Sequence, residues 1–160
     1  MQPANWMTTL ALLLACAGGW LVGQATADDG EDEEMSMSLG EVVELIEPFG
    51  ESCEPQPQRE HIVEMIKNEP AAKYETKCFR HCMLEQFELM PEGQLKFSED
   101  KTLDMMNMMF PNKDEESAGI IKACNDEVTS TDKCEVAHDI SMCMLRAMRS
   151  KGYKIPDIKE

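Results

Sequence analysis

From Ser38 onward the apolar positions recur at helical rather than strand spacing, and prolines and glycines cut the pattern into six pieces. Ser38 with Glu41 three residues on forms a capping-box signature ahead of Leu39, Val42, Val43 and Ile46, and Pro48 and Gly50 stop that helix. Cys53 then falls in a loop or bend before Pro55-Gln-Pro57. A second helix is predicted from about Glu60 to Asn68, with Ile62, Met65 and Ile66 on one face and Pro70 as its breaker. A third runs from about Lys73 to Met90, carrying Cys78, Cys82, Leu84 and Phe87, and ends before Pro91-Glu-Gly93. Ser98 caps a fourth, which holds Leu103, Met105, Met106, Met108, Met109 and Phe110 and is ended by Pro111-Asn112. The fifth spans about Glu115 to Glu127 with Ile120, Ile121 and Cys124. The sixth begins near Asp132 and carries Cys134, Ala137, Ile140, Cys143, Met144, Leu145 and Met148. Arg149 and Lys151 suit the negative end of its dipole, and Gly152 is placed as its C′ cap. Strand alternation is nearly absent. The pattern predicts an all-α domain, a compact bundle of about six helices.

The first 27 residues do not fit that pattern. They contain no Lys, Arg, Asp or Glu, and Thr9 to Val22 is mostly Leu, Ala and Gly. Ala25-Thr26-Ala27 is a small-x-small cleavage pattern, and the acidic run Asp28 to Glu34 begins immediately after it. Residues 1–27 therefore read as a cleaved secretory signal peptide. A membrane anchor fits less well, because polar Gln24 and Thr26 close the stretch and no basic stop-transfer segment follows. Residues 28–37 read as an acidic disordered N-terminus, residues 38–160 as the folded domain, and 152–160 as its C-terminal tail.

Charge and cysteine content narrow the function. The chain of 160 residues carries 15 Lys+Arg against 31 Asp+Glu, a formal net charge of −16. That balance argues against nucleic acid and against anionic lipid as partners, since both need a basic patch. Of the 7 cysteines, Cys16 lies in the leader. The remaining six, an even number in a secreted chain, read as three disulfides, with fifteen pairings formally open. Cys78 and Cys82 sit at i and i+4 of one predicted helix. Their Cβ atoms are then about 5–6 Å apart, too far for a bridge between them. Cys134 and Cys143 point to opposite sides of the sixth helix. A zinc site around Cys78, His81 and Cys82 lacks a matching second pair of ligands, so neither a metal nor a cofactor is expected.

Written out, the cysteine pattern is Cys53-x24-Cys78-x3-Cys82-x41-Cys124-x9-Cys134-x8-Cys143. It resembles the six-cysteine pattern of the insect odorant-binding proteins, the pheromone-binding and general odorant-binding family, whose x3 and x8 gaps are its most rigid features. The resemblance implies the pairing Cys53–Cys82, Cys78–Cys134 and Cys124–Cys143, three interlocked disulfides around an apolar cavity. It implies a secreted, non-catalytic carrier of small apolar organic molecules, odorants or pheromones, in extracellular sensory fluid. An odorant receptor is a further partner by the same resemblance, and a monomer or weak homodimer is the expected state.

Under that resemblance part of the predicted core becomes a pocket wall: Leu84, Phe87, Leu103, Met106, Phe110, Ile120, Ile121, Ile140, Met144 and Met148. Flexible, polarizable methionines suit ligands of varied shape. Tyr153, Ile155 and Ile158 of the tail are candidates for a lid over the pocket mouth. His61, His81 and His138 are candidate pH-sensitive groups, although each taken singly reads as an ordinary surface histidine. Two other classes compete. His138-Asp139 faintly resembles the pair of secreted phospholipase A2, but the Cys-Cys-x-x-His helix and glycine-rich calcium loop of that family are missing, and the pair reads as solvent-facing. A secreted helical signalling protein with a filled core would share the size and the disulfides but act through its outer surface.

Overall fold

The structure is a computed structural model that describes residues 37–156 and Ile158. The expected signal peptide and all of the acidic stretch except Met37 lie outside the described residues.

Six α-helices and one 3₁₀ segment follow one another, with no β-strand among the described elements. Helix α1 (Leu39–Ile46) begins on the capping box read from the sequence. The Glu41 N–H donates to Ser38 Oγ at 3.4 Å, and the Ser38 N–H donates to Glu41 Oε2 at 2.8 Å. Pro48 does not simply end the chain's helical course. It opens a 3₁₀ segment, Glu47–Ser52, where its missing N–H costs nothing. Gly50 in that segment is buried, and a Cβ there would stand 2.6 Å from the Pro57 ring.

Helix α2 (Arg59–Ile66) starts with the Gln58 N–H donating to His61 Nδ1 at 3.1 Å, so an imidazole does the capping. Helix α3 (Tyr74–Gln86) stops one turn earlier than its pattern predicts. Glu88 takes a left-handed φ of 57°, the N–H groups of Leu89 and Met90 both turn back to the Leu84 carbonyl, and Ser98 N–H closes the connection onto Leu89 O at 2.8 Å. That turn buries Leu89 and Met90 and turns Phe87 outward.

Ser98 caps α4 (Glu99–Met109), accepting from the Lys101 N–H. Helix α5 (Asp114–Glu127) opens with Asp114, Glu115 and Glu116 against its positive end. Asp132 caps α6 (Lys133–Ser150), accepting from the N–H groups of Cys134 and Glu135 at 2.9 and 3.0 Å. Gly152, at φ 72°, ends α6, and the Tyr153 N–H returns to Met148 O.

Helices α3 and α6 form the spine. They pack on each other more extensively than any other pair, with α2 against α3 on one side and α4 and α5 on the other. Three disulfides tie this arrangement. Cys53–Cys82 binds the 3₁₀ segment's end to α3, Cys78–Cys134 binds α3 to α6, and Cys124–Cys143 binds α5 to α6. Cys78 and Cys82 thus grip different elements, as do Cys134 and Cys143. Two apolar clusters result. The first gathers Val43, Cys53, Ile62, Ile66 and Phe79 between α1, α2 and α3. The second, larger one lies among α4, α5, α6 and the tail beyond α6.

Candidate functional site

The larger cluster is the candidate site. Met106 on α4, Ile120 and Ile121 on α5, and Ile140, Met144 and Met148 on α6 are all buried in it, and Leu84, Leu103 and Phe110 pack on its edge. Nine of the ten wall residues read from the sequence are therefore brought together. Phe87 is not. It is 51% exposed and lies with its ring 5.5 Å from that of Phe49, because α3 ends before it and the chain turns.

The sequence reading also missed members. Met90 and Phe97 belong to the cluster from the α3–α4 connection. The Asn125 carboxamide holds that connection in place, accepting from the Phe97 N–H at 2.8 Å and donating to the Phe97 carbonyl at 2.9 Å. Nothing local in the sequence marks that clamp. Val136 belongs to the cluster too, and the run Val136, Ile140, Met144 and Met148 at successive intervals of four was a readable signal.

The tail residues behave differently from one another. Tyr153 is not a cover over the mouth but a member of the core, 5% exposed. Its ring meets Phe110 edge-on at 5.1 Å, and its hydroxyl shares a buried hydrogen bond of 3.0 Å with Ser117. The Lys113 ammonium stands 4.2 Å over the same ring and pairs with Glu116, which also binds Lys151. Ile155 packs on the cluster's edge. Ile158 stays partly exposed and borders an open crevice of about 380 Å³ with Leu39, Ile66 and Arg149. On α4, Thr102, one turn before Met106, is buried with no hydrogen-bond partner for its hydroxyl among the described residues.

All three histidines are buried, against their reading as surface groups. His61 caps α2. His81 lies with Nδ1 4.0 Å from Glu85. Burial holds its pKa below the ordinary histidine range, against the opposing pull of Glu85. His138 lies inside while Asp139 beside it is exposed, so the two do not form a solvent-facing pair. Its Nε2 is 3.1 Å from the Pro70 carbonyl, and burial again lowers its pKa, only partly offset by that carbonyl.

Six paired cysteines, a helical frame and a methionine-rich interior describe a recognisable type. A model of the PBP/GOBP family matches residues 35–147, well over half of the chain and all six bridging cysteines. The chain belongs to the PBP/GOBP family. Among its curated relatives, general odorant-binding protein 19d of Drosophila melanogaster is 20% identical over 101 residues, 61% of this chain and 67% of the relative. Solved structures with the same PBP/GOBP architecture include odorant-binding protein dmelOBP28a from Drosophila melanogaster, with a TM-score of 0.55 at 22% identity, over 72% of this chain and 93% of that one. The fatty acid binding protein OBP56a from the oral disk of the blowfly Phormia regina gives 0.51 at 15% identity, over 70% and 90%. Apis mellifera odorant binding protein 5 gives 0.51 at 20%, over 75% and 97%. At these identities the likeness establishes the fold. The family match ends before Met148 and Tyr153, so the tail's place in the core is a feature of this chain read from its own contacts.

Proposed function

We propose that this PBP/GOBP protein is a secreted, non-catalytic carrier that takes a small, mainly apolar organic molecule into the α4–α5–α6 cluster and keeps it dissolved in extracellular fluid. The observation that carries this reading is the composition of that cluster. Met90, Met106, Met144 and Met148 line it together with Ile120, Ile121 and Ile140. Unbranched thioether side chains can re-pack around a guest where branched ones cannot. Transfer of the guest's surface out of water supplies the driving force, about 25 cal/mol per Å². The disulfides keep the surrounding helices in place while those side chains move. Two of the similar structures carry ligand classes in their names, odorant and fatty acid, which supports a volatile or acyl ligand here. The leader sequence, the paired cysteines and the net charge of −16 support an extracellular setting.

The test is a titration. Residues 28–160, oxidised and stripped of lipid with organic solvent, are titrated with a fluorescent apolar probe. Saturable micromolar binding, displaced by volatile alcohols, esters or fatty acids, is expected. Absence of binding by correctly paired protein would overturn the carrier reading in favour of a protein acting through its outer surface.

A further inference from the structure

Two of the chain's five phenylalanines stand exposed and touch each other. Phe49, in the 3₁₀ segment, is 38% exposed, and Phe87, just past α3, meets it at 5.5 Å with the ring planes 50° apart. Leu45, four residues before Phe49 on α1, is 60% exposed. Apolar side chains scattered singly over a surface are ordinary, but paired aromatics are not, in a chain with only 6% aromatic residues. Neither ring is a member of either apolar cluster. The pair is nevertheless firmly held. The Gln86 carboxamide donates to the Phe49 carbonyl at 3.0 Å, and the Cys53–Cys82 bridge ties the end of the 3₁₀ segment to α3. Gly50, next to Phe49, lies so close to Pro57 that a Cβ would stand 2.6 Å from that ring. Rings presented on such a frame lose little freedom when a partner covers them.

The charges beside the rings select the partner. Residues 39–58 include five Glu and no Lys or Arg, and residues 81–95 include three Glu and again no Lys or Arg. Glu47 and Glu51 lie two residues to either side of Phe49, and Glu88 follows Phe87 directly. Arg59 meets Glu47 at 4.0 Å and Lys101 meets Glu88 at 2.9 Å. Glu51 and Glu54 are exposed and have no ion pair among the described residues. A second copy of the chain would bring the same acids against these, and an anionic membrane would bring its phosphates, so like charge opposes both. A basic partner meets no such repulsion, and the faces of the rings attract cations as well.

We propose that the Phe49–Phe87 face docks a cationic amphipathic peptide segment of another protein. An apolar side chain of that segment rests on the two rings, and its Lys or Arg residues stand against Glu51 and Glu54. The rings supply the anchor that a partner's apolar residue covers, and the acids supply attraction and register. The face shares no residue with the α4–α5–α6 cluster, so the inference stands apart from the carrier reading.

The experiment titrates oxidised residues 28–160 into two peptides that carry the same fluorescent label, read by anisotropy at physiological salt. One is an amphipathic Lys–Leu peptide with a central Trp, and the other a Lys–Ser peptide of equal length and charge. The wild-type protein is expected to bind the first at least about ten-fold more tightly, as an aromatic anchor requires. Phe49→Ala/Phe87→Ala is expected to remove that preference, leaving Lys–Ser binding and the binding of the apolar probe in the interior unchanged. Glu51→Gln/Glu54→Gln should weaken both peptides. Amide spectra of the ¹⁵N-labelled wild-type protein give a readout that needs no variant: the Lys–Leu peptide should shift Phe49, Gly50 and Phe87 and leave Met144 and Met148 in place. Equal affinity for the two peptides, a ring variant that keeps the preference, or shifts confined to the interior cluster would overturn the docking face. Self-association of the wild-type protein, or its sedimentation with neutral phosphatidylcholine vesicles, if lost in the ring variant, would assign the face to a second copy or to lipid and overturn it equally.

Discussion

The two apolar clusters are built from different materials. The one between α1, α2 and α3 is made of Val43, Ile62, Ile66 and a fully enclosed Phe79, with the Cys53–Cys82 bridge within it. The one among α4, α5 and α6 has four methionines and closes on Tyr153, which arrives from beyond the last helix. Stiff side chains with few rotamers specify a single packing, and methionines admit several. The contrast separates a part that holds shape from a part that can change it. Helices α3 and α6 stand between them, so a guest that rearranges the second cluster works against a braced wall.

The largest test of that contrast pairs two truncations. Phe79→Ala is expected to cost about 3–5 kcal/mol of stability in denaturant unfolding, with the probe affinity of the surviving folded protein unchanged. Met144→Ala should cost nearer about 2 kcal/mol and should change ligand affinity, because its gap opens in the cluster proposed to take the ligand. If both variants alter affinity alike, the division of labour fails.

A smaller effect is expected from pH. Burial depresses the pKa of His81 and of His138, so below their ordinary value of 6.5 the unfolded chain takes up protons that the folded chain refuses. Stability should then fall as pH drops from about 6.5 and level off once the folded histidines charge. Thermal melts across pH 8 to 4 read this directly, and His138→Gln should flatten part of the slope. Smaller again is Tyr153→Phe, which removes the hydroxyl shared with Ser117. About 1 kcal/mol is expected, together with weaker protection of the tail from proteolysis. Least of all is Phe87→Ala. Its half-exposed ring touches only the margin of the molecule, so a loss under about 1 kcal/mol and no change in binding are expected.

Legibility in the sequence tracked the range of the interactions. Capping at Ser38, Ser98 and Asp132 depends on residues two or three apart, and each helix start was readable from it. The inward faces of α5 and α6 come from spacing along a single helix. The end of α3 was not readable. It depends on Glu88 adopting a left-handed backbone and on Ser98 reaching back to Leu89, a contact across nine residues. That one turn moved Phe87 out and brought Met90 and Phe97 in. His138 was misplaced for the same reason. Whether an imidazole meets water or a neighbouring helix is a tertiary fact, and His138 learns it from Pro70, 68 residues away.

The topology of the bridges has a consequence for durability. Cys53 joins Cys82, Cys78 joins Cys134, and Cys124 joins Cys143, so the three closed loops overlap along the chain. A single cut by a protease anywhere between Cys53 and Cys143 leaves both pieces covalently attached. Only the segments before Cys53 and after Cys143 can be shed by one cut, which means α1 at one end and the last turns of α6 with Tyr153 at the other. In a fluid containing proteases, such a molecule wears from its two ends while its middle survives being nicked.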